Sequence, residues 1–338
     1  MKFGRVPIEQ AAGLIAAHTI RTEETTLRKG RRVEADDARR LGEAGVSDIV
    51  AATLEPGDVG EDEAASRLAE RIAGDGLRRE APFTGRCNLF AETAGLLLVD
   101  RALVDAVNGV DEGITLATLP AFRPVSAGEM VATVKIIPYG VSGAALSRAC
   151  HAAHEPALRV VPYRLRRVAV ISTMLPGLKS TTVEKTLRNL AQRLAPTGAA
   201  VVAEVRVPHE ADAVTRALAA LTDVDLVVIF GASAIADRRD VIPVGIERAG
   251  GEVAHLGMPV DPGNLLLIGS YDGVPVIGAP GCARSPKENG FDWVLHRLLA
   301  GLAVRRADIV AMGVGGLLTE IISRPQPRAG GDSADDDA

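Results

Sequence analysis

The chain has 338 residues, of which 47% are hydrophobic and 24% are charged, so it can bury a core large enough for two domains. Its net charge of −5 and its isoelectric point of about 5.8 disfavour binding to nucleic acid or to an anionic membrane surface. Aromatic residues make up only 3% of the sequence, which also disfavours a surface on which bases stack.

The cysteines and the N-terminal segment bear on the compartment. Cys87, Cys150 and Cys282 lie far apart in the sequence and form neither a metal-type spacing nor a disulfide framework, so we expect a reducing cytoplasm. The first twenty residues contain an apolar patch, but Glu9 and His18 interrupt it. The pattern therefore predicts neither a signal peptide nor a membrane span.

The first half of the chain mixes helical and strand-like patterns, and we expect one mixed α/β domain over residues 1–165. Apolar spacing predicts helices over residues 6–20 and 61–72, and β-type composition predicts a strand over residues 130–137. The basic segment 26–33 predicts a strand and a turn at Lys29-Gly30. Its charges either meet a phosphate or simply lie in solvent.

A metal site is one hypothesis for the segment Cys150-His151 and His154-Glu155. Two histidines three residues apart on a helix can face the same way and bind a metal. No further ligand cluster lies nearby, and Glu155-Pro156 marks the end of a helix. A solvated connector is the alternative.

From Arg166 onward, strand-like runs alternate regularly with amphipathic helical stretches. This pattern predicts a three-layer, doubly wound α/β domain with a mostly parallel sheet over residues 166–324. The acidic residues 325–338 are expected to form a disordered tail. The predicted strands are 167–173, 199–207, 224–230, 264–269 and 274–278.

The segment after the most apolar of these strands is the first candidate binding loop. The strand ends at Phe230 and is followed by small residues, Gly231 to Ala234, before a helix that begins near Asp240. Small residues let a ligand approach backbone N–H groups, and the helix dipole points back at the loop. The loop is therefore either a phosphate site or an ordinary strand-to-helix turn.

In open α/β sheets, ligands bind beyond the carboxyl ends of the strands, so several loops should meet there. The last of these loops along the chain, residues 279–287, places Arg284, Ser285 and Lys287 just before a helix. The loops expected to converge are 173–182, 231–240, 261–264 and 279–287.

Residues 166–302 also carry an ordered set of motifs. These are Arg239-Asp240-Val241, Gly250-Gly251-Glu252-Val253, Pro262-Gly263, Gly273-Val274-Pro275-Val276 and Ala279-Pro280-Gly281. In this order they resemble the molybdopterin-binding domain shared by molybdopterin molybdotransferases, molybdopterin adenylyltransferases and competence/damage-inducible proteins. By overall pattern the chain is most similar to the stand-alone or nucleotidyltransferase-fused molybdopterin-binding proteins of bacteria. Leu27 to Val50 is similar to part of the molybdotransferase's non-catalytic domains.

The resemblance implies that the protein binds molybdopterin, or its adenylylated form, during molybdenum cofactor biosynthesis. It leaves catalysis of adenylyl transfer or of molybdate insertion open. The alternative is a non-catalytic carrier that hands the cofactor to a nucleotidyltransferase or to a molybdoenzyme chaperone. Relatives form dimers or trimers, so a homo-oligomer is expected.

The resemblance also implies roles for individual residues. Asp240, with Asp237 second, would be the catalytic carboxylate, and Asp240 would hold Mg²⁺ or position molybdate. The alternative for Asp240 is a helix N-cap. The residues expected to bind the cofactor are Thr173, Gly231, Ala232, Ser233, Arg239, Pro262, Gly263, Asn264, Pro280, Gly281, Arg284, Ser285 and Lys287.

Two departures from the family pattern concern this site. Ala232, Ala234 and Ala236 stand at or near places where relatives usually keep glycine, and each methyl narrows the approach to the backbone. Asn264 replaces a lysine and so removes a cation.

Overall fold

The computed structural model describes residues 1–318, and the chain divides into two compact units. The first unit comprises Met1–Thr93 and Leu97–Val161, and the second comprises Ala94–Leu96 and, of the described chain, residues 162–318. The tail predicted over residues 325–338 lies outside the described residues. Among those that are described, no helix is both long and apolar enough to cross a membrane.

The first unit combines short antiparallel sheets with helices. Its strands are β1 (Lys2–Pro7), β2 (Ile15–Ala16), β3 (Ile20–Arg21), β4 (Thr26–Leu27), β5 (Asp48–Thr53), β6 (Asp58–Gly60), β7 (Leu77–Arg79), β8 (Arg86–Ala91), β9 (Gly95–Val99), β10 (Ile114–Thr118), β11 (Pro124–Val125), β12 (Met130–Ile136), β13 (Gly140–Ser142) and β14 (Leu158–Pro162). Its helices are α1 (Ala35–Glu43), α2 (Glu61–Ile72), α3 (Arg101–Asn108) and α4 (Gly143–Ala152).

The helix predicted over residues 6–20 is wrong. β1 pairs with β5, a single 3-10 turn covers Ile8–Gln10, and β2 pairs with the other side of β5. Gly13 has φ = +89°, a left-handed conformation that breaks a helical path at that residue. The apolar residues that suggested a helix, Ile8 and Ala11, are instead buried in a small core beneath α1.

The larger core of the first unit lies between α2 and a four-stranded antiparallel sheet. The sheet order is β10-β12-β8-β7, and α2 packs on β8 and β12. Ala65, Leu68 and Ile72 follow one another at helical spacing and are fully buried. The helix predicted over residues 61–72 and the strand predicted from Met130 are both confirmed.

The Cys150 to Glu155 segment does not gather metal ligands. Cys150 and His151 lie at the end of α4, and His154 Nδ1 is 3.3 Å from the carbonyl oxygen of Ala152. Nowhere in residues 1–318 do three or more His, Cys, Asp or Glu side chains cluster in a way that could hold a metal ion. Of the four candidate ligands, only His154 and Glu155 lie in the exposed connection between α4 and β14, where the alternative hypothesis placed a solvated connector.

The second unit alternates strands and helices. Its strands are β15 (Arg167–Met174), β16 (Ala200–Pro208), β17 (Leu226–Phe230), β18 (Glu252–Leu256), β19 (Leu267–Tyr271) and β20 (Val274–Ala279). Its helices within the described range are α5 (Ser180–Leu194), α6 (Ala211–Ala219), α7 (Val241–Arg248), α8 (Gly290–Leu299) and α9 (Arg306–Val310).

The strands of the second unit form one sheet in the order β16-β15-β17-β20-β19-β18. β15 pairs in parallel with β16 and β17, and β17 pairs in parallel with β20, whereas β19 is antiparallel to both of its neighbours. The predicted hairpin between β19 and β20 turns at Asp272 (φ = +49°) and Gly273 (φ = +76°). The predicted mostly parallel sheet is confirmed.

Helices cover both faces of this sheet. Val227 and Ile229 point into a core that includes Val214 of α6 and Ile246 of α7. The ring of Phe230 meets Phe291 of α8, with 6.4 Å between their centroids. All five residues of β17 are buried, as expected for a central parallel strand.

Candidate functional site

The carboxyl ends of four parallel strands bring separate loops to one edge of the second unit's sheet. Thr173 lies near the end of β15, His209 follows β16, and Gly231 follows β17. Pro280 follows β20 at the same edge. The edge is therefore built from residues as far apart in the sequence as Thr173 and Pro280, which the topology of a doubly wound sheet brings together.

Three side chains form a hydrogen-bonded chain across this edge. Thr173 Oγ1 lies 2.8 Å from His209 Nδ1, and His209 Nε2 lies 3.1 Å from Ser233 Oγ. The backbone N–H of Ala232 donates to the same Thr173 hydroxyl at 2.8 Å. His209 therefore links the buried end of β15 to the exposed hydroxyl of Ser233.

The hydrogen bonds around Thr173 favour one histidine tautomer. Thr173 is only 1% exposed, and its hydroxyl oxygen already accepts the N–H of Ala232. Unless the hydroxyl proton is donated to Nδ1 of His209, it is buried without an acceptor. A buried donor that is left unpaired costs about 1–3 kcal/mol. His209 then carries its proton on Nε2 and donates it to Ser233 Oγ. Ser233 Oγ is then the acceptor toward His209, which leaves the Ser233 hydroxyl proton to be donated to an anion.

Arg284 is the second feature of this edge. Its guanidinium donates to Thr186 Oγ1 at 2.9 Å and to the carbonyl oxygen of Gly231 at 2.8 Å, and it lies over the ring of Phe230. It forms no ion pair with a carboxylate anywhere in the described part of the chain. Burial lowers the pKa of Arg284. A half-buried cation without a counter-charge is unfavourable unless an anion approaches it.

The loop that carries Arg284 is held in place by α5. Arg193 Nε lies 2.5 Å from Asp292 Oδ1, and its other nitrogens donate to the carbonyl oxygens of Ala283 and Ser285. Asn189, one helical turn earlier, donates to the carbonyl oxygen of Arg284. These contacts fix the backbone of the loop, so the Arg284 side chain starts from a rigid position.

Arg239 and Asp237 neutralise each other. Arg239 Nε and Nη2 lie 2.7 and 3.1 Å from the two carboxylate oxygens of Asp237. The hydrogen bond from the Arg239 side chain, with its backbone N–H, lowers the pKa of Asp237 to about 2. The Arg239 side chain is 90% exposed. In this arrangement the two charges are engaged with each other, and the roles of Arg239 as a cofactor-binding cation and of Asp237 as a catalytic carboxylate stay predictions.

Asp240 caps α7, as the alternative hypothesis held. Its Oδ1 accepts the N–H of Val241 at 2.7 Å, and its Oδ2 accepts the N–H of Ala236 at 3.3 Å. Both oxygens are therefore engaged by the backbone of their own loop. In the described residues it does not belong to any group of three or more His, Cys, Asp or Glu side chains that could hold a metal ion. This donor set does not fit Mg²⁺, which prefers several oxygen ligands in octahedral geometry.

The predicted residues Pro262 and Gly263 do not line an open surface. Both are buried, and the Pro262 carbonyl oxygen accepts the N–H of Gly290, at the start of α8. Gly263 has φ = +145°, and an added Cβ would lie 2.9 Å from the backbone of Gly290. The pair therefore sets the approach of α8, whereas Asn264 is exposed.

The remaining predicted residues divide by accessibility. Pro280 is buried, whereas Gly281 and Lys287 are exposed, and an added Cβ on Gly281 would meet nothing within 4 Å. Ser285 Oγ accepts the N–H of Lys287 at 3.3 Å and is thus a turn residue. Burial raises the pKa of Cys282 to about 11, so its thiol is not a nucleophile at neutral pH.

The backbone of Gly231 and Ala232 is engaged within its own loop. The N–H of Ala232 is used by Thr173, so it is not offered to a ligand. An added Cβ on Gly231 would lie 2.5 Å from the carbonyl oxygen of Ser233, so the loop requires glycine there for its own tight path. The residues that the structure places together are Thr173, Gly231, Ser233 and Arg284, with His209 and Thr186 added.

Residues 168–300 match the family model described as a probable molybdopterin binding domain, and residues 5–53 match a domain of unknown function (DUF8806). A comparison with curated proteins found no match. Among solved structures, a MoeA molybdopterin biosynthesis protein from Pyrococcus horikoshii is 16% identical at a TM-score of 0.31, covering 89% of this chain and 75% of its own. Molybdenum cofactor biosynthesis protein B is 15% identical at a TM-score of 0.30, and the match covers 41% of this chain and 95% of that protein. A molybdenum cofactor biosynthesis protein from Pyrococcus furiosus is 13% identical at a TM-score of 0.26, covering 95% and 68%.

Proposed function

We propose that the second unit binds molybdopterin, or molybdopterin linked to a nucleotide, by its phosphate at the edge formed by Ser233, His209 and Arg284. The match of residues 168–300 to a molybdopterin binding domain supports the class of ligand. The observation that carries the proposal is the half-buried guanidinium of Arg284, which contacts the Gly231 loop without a carboxylate partner in the described residues. A phosphate is the part of molybdopterin that matches this charge.

The proposed contacts follow from the donors that are already oriented. The Ser233 oxygen accepts a hydrogen bond from the N–H of His209 Nε2, and the Ser233 hydroxyl donates a hydrogen bond to a phosphate oxygen. Arg284 is anchored through two hydrogen bonds, one of them to the carbonyl oxygen of Gly231, and supplies positive charge beside the loop that begins at Gly231. An ionised acceptor shortens and strengthens such hydrogen bonds, each worth about 1.5–3 kcal/mol.

A non-catalytic carrier is the second candidate, and one observation favours it over an adenylyltransferase or a molybdotransferase. Asp237 is paired with Arg239, and both oxygens of Asp240 accept backbone N–H groups. Each carboxylate is already engaged within its own loop, so binding Mg²⁺ would compete with these hydrogen bonds. On this proposal the protein passes bound cofactor to a nucleotidyltransferase or a chaperone. We also propose that it acts as a homo-oligomer, and light scattering of the full chain tests that assembly.

Turnover assays separate the carrier from the enzyme. The full chain is mixed with molybdopterin, Mg-ATP and molybdate, and adenylylated or metallated product is measured for wild type and for Asp240→Asn. The carrier proposal expects tight binding without product for either protein. Product formation that is lost in Asp240→Asn, with the fold intact by circular dichroism, would instead establish the enzyme and give Asp240 its predicted role.

A further inference from the structure

The first unit contains a cationic cleft that the proposed function does not use. The cleft has a volume of about 740 Å³, in the usual range for small-molecule sites. Its wall includes Lys29, Arg86 and Lys135, together with His18. Glu61 is the carboxylate that lines it within the described residues, so three lysine and arginine cations face one anion.

The cleft is held open by segments that are distant in sequence. The hydroxyl of Tyr139 donates to the carbonyl oxygen of Ala17 at 3.0 Å. The Tyr139 carbonyl oxygen accepts the N–H of Glu61 at the start of α2. The N–H of Lys29 donates to Thr19 Oγ1 at 3.1 Å, which orients the basic turn that the sequence singled out.

One cation of the cleft is fixed, and two are available to a ligand. Lys135 Nζ donates to the carbonyl oxygen of Thr84 at 2.6 Å and lies 3.7 Å from Glu61 Oε2. The side chains of Lys29 and Arg86 are exposed, and neither forms an ion pair with a carboxylate in residues 1–318. A cleft with an excess of one sign of charge concentrates ligands of the opposite sign.

The rim of the cleft is apolar. Phe3 and Ile137 both line it, and each is 59% exposed. Large apolar side chains with that exposure, placed beside cations, suit a ligand with one charged end and one flat apolar end. Burial raises the pKa of Glu61, although the positive charge of Lys135 opposes this shift. The raised pKa indicates that water is partly excluded from the side of the cleft where Glu61 lies.

We propose that this cleft is a second binding site, specific for a small phosphate ester that carries a planar heterocycle, such as a nucleoside monophosphate or a reduced pterin phosphate. Lys29 and Arg86 bind the phosphate, and the ring lies against Phe3 and Ile137. Because every residue of the cleft belongs to the first unit, the site is independent of Arg284 in the second.

Isothermal titration calorimetry on the full chain tests the site, with AMP and dihydroneopterin monophosphate as probes. All proteins carry Arg284→Gln, so that binding in the second unit is weakened and contributes little at the probe concentrations used. We expect Lys29→Gln to weaken binding about tenfold and the double variant with Arg86→Gln to abolish it, since charged hydrogen bonds to phosphate are lost. Arg148→Gln, which removes an exposed cation from the same unit, should leave binding unchanged.

A truncation of the ring contact tests the second half of the inference. Phe3→Ala should weaken AMP several-fold and leave ribose 5-phosphate unchanged, because only AMP has a ring to lose. The two heterocyclic probes decide between the nucleotide and the pterin source. The inference is overturned if neither probe binds, if binding survives in the Lys29→Gln, Arg86→Gln protein, or if ribose 5-phosphate binds as tightly as AMP.

Discussion

At the residue scale, the side chain with the largest consequence is one that the sequence did not single out. His209 follows β16, the one parallel strand whose carboxyl end was not among the loops expected to converge. The topological rule applies to every such strand, so listing the first two residues after each predicted strand would have found it. Arg284 was expected to bind the cofactor, but its anchoring depends on contacts with Thr186 and Gly231, which are 98 and 53 residues away in the sequence, and no local pattern carries such contacts.

Thr173 provides a test of the hydrogen-bonded chain. Thr173→Val removes the hydroxyl that accepts the N–H of Ala232 and contacts His209. We expect the free energy of unfolding to fall by about 1–3 kcal/mol, because a buried donor is left unpaired, and molybdopterin binding to weaken. Thr173→Ser keeps the hydroxyl and should restore both. Equal binding by the Val and Ser variants would rule out the relay to Ser233.

His296 predicts a dependence of stability on pH. Its Nδ1 lies 2.8 Å from the hydroxyl of Tyr163, and burial, reinforced by Arg193, lowers its pKa below the ordinary 6.5 despite the opposing Asp292 and Glu288. Because the folded pKa is the lower one, the unfolded chain binds the proton more readily. The contribution of His296 is therefore complete above about pH 6.5 and is lost as the pH falls through its folded pKa.

Urea unfolding at about pH 7.5 and about pH 5.5 measures this effect. Wild type should lose more stability on acidification than His296→Gln, which has no proton to gain. An equal loss in the two proteins would mean that other groups carry the acid sensitivity.

At the scale of elements, the pattern of residues predicted the second unit well and the start of the first unit badly. Strands that are covered on both faces are nearly continuous apolar runs, such as Leu226–Phe230, and amphipathic helices separate them, so both signals are strong. In residues 6–20 the apolar residues fall at helical spacing, but they belong to a 3-10 turn and to short strands on either side of Gly13. The buried role of Pro262-Gly263 was equally hidden, because it depends on the packing of α8.

Gly263 tests that packing. Gly263→Ala places a methyl 2.9 Å from the backbone of Gly290 and requires a φ of +145° that alanine rarely adopts. We expect it to lower the free energy of unfolding by about 1–3 kcal/mol. Gly281→Ala is the matched control: its Cβ would meet nothing within 4 Å, so the change should stay below about 0.5 kcal/mol. Similar values for the two variants would contradict the assignment of Gly263 to the α8 contact.

At the scale of the whole molecule, the net charge of −5 makes anion binding a local property. The overall field disfavours a phosphate, so recognition depends on cations that are held without a carboxylate partner, as Arg284 is in the second unit. Arg239 looks equivalent in the sequence but is cancelled by Asp237. A comparison of these two arginines therefore distinguishes binding by a cation that lacks a carboxylate partner from binding by basic residues in general.

The most direct measurement is anaerobic equilibrium binding of molybdopterin to the full chain, followed by pterin fluorescence, for Arg284→Gln and Arg239→Gln. The account predicts that Arg284→Gln weakens binding by about 10- to 100-fold, the loss of about 1.5–3 kcal/mol expected for a charged hydrogen bond, while Arg239→Gln changes it by less than about threefold. Wild-type affinity in a folded Arg284→Gln protein, or an equal loss in both variants, would contradict it.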